Sequence, residues 1–193
     1  MTTDLAPTAD VVKRVIAGVR DHQLADPTPC IGTSVAAMLD HFVGLTVAFR
    51  LGAEKQPQSG GPSADADHLP ADWRQRLPRQ LDALVAAWRG PQAWEGLTEV
   101  GGAKMPAAAM GVIALNEVLV HGWDLAVATD QRYDVDDAAA QRCLQFAEEL
   151  AAGAPEVRTG MYGPAVPVPN VAPVFDRLLG QTGRDPGWAP AGR

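Results

Sequence analysis

Apolar residues recur at threes and fours along most of this chain, and segments containing Pro or Gly separate one run from the next. That period is helical. Val11, Val12, Val15, Ile16 and Val19 predict a first helix over 9–24, with Asp10 as its start signal. After the turn DPTPCIG, the seam Val35, Met38, Phe42, Leu45 and Phe49 predicts a second helix over 33–51, with His41 flanking the seam. Residues 52–68 read as a long polar loop whose paired glycines and prolines make it flexible by composition. Leu77, Leu81, Leu84, Val85 and Trp88 predict a third helix over 70–89, broken or kinked at Pro78. A Gly/Pro segment leads into a fourth helix over 105–129, and Cys143, Phe146, Ala147 and Leu150 mark a fifth over 136–152. Strand signals are almost absent: alternation is weak and confined to 165–168, where prolines disfavour a central strand. The expected fold is all-α, an antiparallel four-helix bundle with additional short helices, built as one domain over 1–193.

The fourth helix departs from the others. It is apolar nearly all round, which is the mark of a buried helix, yet it carries Glu117, His121 and Asp124. At roughly 100° per residue these three fall within an arc of about 60°. A buried carboxylate beside a histidine must be paired, hydrogen-bonded or bound to a metal. Glu117 and His121 stand one turn apart and can reach one ion, and a histidine from a facing helix would complete a three-ligand site with an open position. Of the four histidines, His41 is placed to be that third ligand, whereas His22, at the polar end of the first helix, and His68, in the polar loop, are expected in solvent. The spacing also admits a plainer reading, an i,i+4 hydrogen-bonded pair inside the bundle with Asp124 as a satisfied neighbour. Trp73, Trp88, Trp94, Trp123 and Trp188 are expected to pack the bundle or its rim.

Composition narrows the function classes. The net charge is −7 and no basic cluster is visible, which argues against nucleic acid. The first ten residues lack the features of a secretory leader, and the longest apolar run, 107–115, is too short to span a bilayer, so a cytoplasmic protein without membrane attachment is expected. Cys30 and Cys143 make no disulfide framework and are expected as buried thiols.

Two segments carry a family resemblance: TPCIGTSVAAMLDHFVG at 28–44 and NEVLVHGWDLAVAT at 116–129. Together they resemble the DinB-like family that includes the N-terminal domain of mycothiol-dependent maleylpyruvate isomerase. The tail GPAVPVPNVAPVFDRLLGQTGRDPGW, 163–188, is similar to the end of stand-alone members of that family. The resemblance implies that His41, Glu117 and His121 hold a divalent metal at one end of the bundle, zinc by preference or nickel, with Asp124 supporting the ligands from outside. It also implies mycothiol as the thiol cosubstrate. The family's usual Trp after P-C-x-G is Thr33 here, which removes any contact made by that indole. The isomerase's C-terminal domain is not expected in a chain of this length.

The implied activity is metal-dependent thiol S-transfer or isomerisation, with a low-molecular-weight thiol and a small electrophile as partners. A hydrolase that activates water on the same metal is one alternative. A second is a non-catalytic bundle that serves binding or dimerisation, with a structural metal or none. The sequence leaves the oligomeric state open, a homodimer included.

Overall fold

The computed structural model describes residues 2–56, 60–153, 156, 158 and 161–190. Four helices, α1 (Ala6–Gly18), α2 (Val35–Ala53), α3 (Trp73–Arg89) and α4 (Ala107–Ala128), form a ring in the order α1, α3, α2, α4, each packed on two neighbours. Two further helices, α5 (Asp137–Gly153) and α6 (Val174–Gln181), stack outward, α5 on α4 and α6 on α5. The seams expected from the sequence meet in the middle: Val12, Ile16, Met38, Phe42, Leu77, Leu81, Leu115 and Leu119 are all buried. Each large apolar side chain removed from water there contributes roughly 1.5–3 kcal/mol.

Local chemistry sets the helix ends. Pro7 fixes φ in the first turn of α1, so this helix starts ahead of Asp10 and ends at Gly18; a single 3₁₀ turn, Asp21–Gln23, replaces the expected continuation. Ser34 caps α2 by accepting from the Ala37 amide at 3.2 Å. Pro78 lies inside α3, which continues through it to Arg89. The α2 and α4 helices are long and apolar enough to cross a membrane, but both are mostly buried in the bundle, which is how a core helix satisfies the same test.

Two elements depart from the sequence expectation. The Gly/Pro segment before α4 contains an antiparallel hairpin, β1 (Leu97–Val100) and β2 (Ala103–Pro106), and α4 starts after it. Gly101 and Gly102 both take positive φ, 59° and 83°, as a two-residue hairpin turn demands. The hairpin docks on the end of α2, where Thr98 Oγ1 donates to the Gly52 carbonyl at 2.6 Å. A Cβ at Gly52 would come within 2.6 Å of Val100 Cγ2, so that glycine permits the approach. The second departure is α6, from a tail read only for its family likeness. Phe175 on α6 meets Trp123 on α4 edge-on, with ring centroids 6.5 Å apart. A Schellman turn ends α6: Gly183 (φ 84°) donates to Gly180 and Arg184 donates to Leu179, which turns the chain back toward α4.

Candidate metal centre

His41 on α2 meets Glu117 and His121 on α4 where the two helices pack. Glu117 Oε2 lies 3.2 Å from His121 Nε2 and 3.5 Å from His41 Nε2. All three donor atoms are within 4.8 Å of one another, and the two imidazoles are nearly perpendicular at 86°. Ligands about 2.0–2.2 Å from a tetrahedral zinc are separated by about 3.3–3.6 Å, so the two contacts to Glu117 already match the edges of such a site.

The tautomers are set from outside. His121 Nδ1 lies 2.9 Å from Asp124 Oδ2, a carboxylate that can only accept, so Nδ1 carries the proton and Nε2 faces Glu117. His41 is held in the same sense: its Nδ1 donates to the Ser63 carbonyl at 3.1 Å, again leaving Nε2 toward Glu117. Paired carbonyl or carboxylate acceptors behind two histidines are what metal-binding imidazoles require. The Ser63 carbonyl is itself fixed, because Asp40, the neighbour of His41 on α2, accepts from Ser63 Oγ at 2.8 Å and from the Asp65 amide at 3.1 Å. The described end of the loop read as flexible is therefore tied to α2 beside the site.

Asp124 is fully buried and has a second partner. Arg184, delivered by the turn after α6, donates from Nη2 to Asp124 Oδ2 at 3.1 Å and from Nη1 to the Thr182 carbonyl at 2.7 Å. Burial opposes the charged form of both His121 and Glu117, but each outweighs that cost for the other. His121 is pushed up to about 10 by Glu117 and Asp124, and the two imidazoles hold Glu117 well below the usual carboxylate range. The metal-free protein thus keeps a proton between His121 and Glu117, in the place where a cation would bind.

The three donors open onto a cavity of about 310 Å³, walled by Cys30, Thr33, Asn116, Tyr162 and Arg184 among others. Asn116 is 2% exposed and Tyr162 6%, yet Asn116 Oδ1 and the Tyr162 hydroxyl have no hydrogen-bond partner. Orphaned polar atoms are costly when buried, and here both belong to side chains that line the cavity.

The structure brings together the residues singled out on α2 and α4 and leaves His22 and His68 exposed, away from them. Trp73, Trp88, Trp94 and Trp123 are buried, and Trp188 packs against the core. Cys143 is buried, and that burial pushes its thiol up to about 12. Cys30 corrects the expectation of a buried thiol: the turn closed by Thr28 and Thr33 leaves it half-buried on the cavity wall. Asp40, Ser63, Asn116, Tyr162 and Arg184 were not anticipated. A lone Asn in an otherwise apolar helix, and an Arg directly after a helix-stopping Gly, were the available signals for two of them.

Residues 5–126 match the family described as Mycothiol maleylpyruvate isomerase N-terminal domain. Two uncharacterized proteins of Mycobacterium tuberculosis, one from strain CDC 1551 / Oshkosh and one from strain ATCC 25618 / H37Rv, are each 28% identical over 183 residues, covering 91% of this chain and 92% of theirs. Among solved structures, the mycothiol-dependent maleylpyruvate isomerase superposes with a TM-score of 0.57 at 16% identity, over 74% of this chain and 64% of that one. A histidine-to-alanine mutant of that isomerase superposes with a TM-score of 0.55 at 16% identity, over 84% of this chain and 71% of that one. The chain thus spans less than two thirds of the first of these structures, and the likeness is one of fold. With the family match covering α1 to α4, including all three converging donors, the chain belongs to the mycothiol maleylpyruvate isomerase N-terminal domain family.

Proposed function

We propose that the protein is a cytoplasmic, single-domain, metal-dependent enzyme that uses mycothiol to modify or isomerise a small electrophilic molecule, with His41, Glu117 and His121 as the ligands of a zinc or nickel ion. The observation that carries this reading is the shared orientation of the two histidines, each with Nδ1–H on a fixed acceptor and Nε2 toward Glu117. When bound, a divalent ion lowers the pKa of a thiol placed at the open position, so that a thiolate is available at neutral pH.

The side chains around it have separable tasks. Asp124 and Arg184 hold His121, Ser63 and Asp40 hold His41, and α2 and α4 exclude water behind the donors. In S-transfer, an S–C bond forms as the bond from carbon to its leaving group breaks, and the thiol proton departs with that group. In isomerisation, the sulfur adds to one end of a conjugated C=C, the C–C bond rotates, and the S–C bond breaks again, so the thiol is not consumed. A metal serving structure alone needs no adjoining cavity, and the unmet hydrogen bonds of Asn116 and Tyr162 favour turnover over a purely structural role.

The test compares two variants by metal content and by mycothiol transfer to monochlorobimane. Glu117→Gln is expected to lose metal and transfer together. Cys30→Ser, which changes the half-buried thiol on the cavity wall, is expected to keep both, because the cosubstrate supplies the sulfur. An inactive Cys30→Ser that retains its metal would place the nucleophile on the protein and overturn the mechanism.

A further inference from the structure

The space around the donors has two halves of opposite character. On one side of Glu117 lies the cavity with Asn116, Tyr162 and Arg184. On the other, sharing Glu117 and Met161 with the first, lies a hollow of about 320 Å³ between α2, α4 and the hairpin, lined by Phe49, Val100, Met105, Met110 and Ile113. Among the described residues that line this hollow, Glu117 is the only ionisable one and none is cationic. Its volume suits a small molecule, and three methionines, Met105, Met110 and Met161, give it a lining that adapts to shape.

We propose that this apolar hollow receives the carbon skeleton of the electrophile, an uncharged apolar molecule of about three rings or fewer, while the polar thiol occupies the side of Asn116 and Tyr162. The assignment rests on the thiol-dependent reading above and names the second substrate's class. No cationic side chain lines the hollow and its walls are mostly apolar, so a carboxylate placed there would lose its hydration without a side-chain partner, and charged dicarboxylic substrates are disfavoured there. An apolar group gains from leaving water and places its reacting carbon beside the donors, because Glu117 borders both halves. Asn116 and Tyr162 separately mark the other half for a ligand rich in hydrogen-bonding groups, since each is more than nine-tenths buried with a polar atom unpartnered.

The test uses two fluorescent probes with one skeleton: neutral N-phenyl-1-naphthylamine and its anionic counterpart 1-anilinonaphthalene-8-sulfonate. Binding is read by fluorescence titration of the full chain in excess chelator, without thiol, so that the outcome is independent of metal loading and of turnover. The neutral probe is expected to bind at least tenfold more tightly than the sulfonate. Ile113→Trp, which fills the hollow from α4, is expected to weaken it at least tenfold. Ala103→Trp obstructs the same hollow from an exposed position on the hairpin and serves where the buried substitution fails to fold. Equal affinity for the two probes, or unchanged neutral-probe binding in the folded variants, would overturn the assignment. Failure of the protein to bind metal or mycothiol would instead count against the thiol-dependent reading and leave this binding result standing.

Discussion

His121→Ala is expected to abolish stoichiometric binding of zinc or nickel, whereas His22→Ala and His68→Ala leave it intact. His121 supplies one of three converging donors, and an open site with two remaining ligands holds an ion far more weakly. Loss of affinity should exceed the 10- to 100-fold typical of disturbing a ligand's outer partner, about 1.4–2.7 kcal/mol. Elemental analysis after dialysis against the metal, followed by desalting, reads the result directly. A His121→Ala protein that retains one equivalent of metal would move the site elsewhere. A wild-type protein that never takes up metal would leave Glu117 and His121 as a buried ion pair, the plainer reading of their spacing.

Asp124→Ala is expected to destabilise the fold by about 3–5 kcal/mol, the cost of removing one partner from a buried charge pair. Asp124 is wholly buried and the Arg184 side chain is 10% exposed, so alanine leaves a guanidinium with its Thr182 contact but without its hydrogen-bonded counter-charge. The same change frees His121 Nδ1 and should reduce metal affinity 10- to 100-fold. Denaturant titration of the metal-free protein separates the two effects. Because the cost lies in the orphaned cation, combining Asp124→Ala with Arg184→Met should recover a substantial part of the stability but not the metal affinity. A loss below 1 kcal/mol for Asp124→Ala would mean that the pair is solvated and does not tie the tail to α4.

The bundle was legible because α1, α2 and α3 each bury an apolar seam, and the 3.6-residue period of Met38, Phe42 and Leu45, or of Leu77, Leu81 and Leu84, is a direct trace of that burial. The candidate site was legible for a related reason: charged residues on α4 interrupt a helix that is otherwise apolar all round. The hairpin was not, because its strands are four residues long, too short for alternation to stand out, although the Gly101–Gly102 pair was present as a turn signal. Arg184 was out of reach for a different reason. Its contact with Asp124 spans sixty positions and depends on a Schellman turn after α6, neither of which leaves a periodic mark. Asn116 and Tyr162 matter through the hydrogen bonds they fail to make, which only coordinates reveal.

The measurement closest to the central claim is a calorimetric titration of mycothiol into the metal-loaded protein, repeated after removal of the metal by chelator. Saturable one-to-one binding that requires the metal, and that disappears in Glu117→Gln, is the result expected if His41, Glu117 and His121 present an ion with a position open to the thiol. Mycothiol binding of equal strength with and without metal, or no binding to protein shown to carry one equivalent, would contradict it.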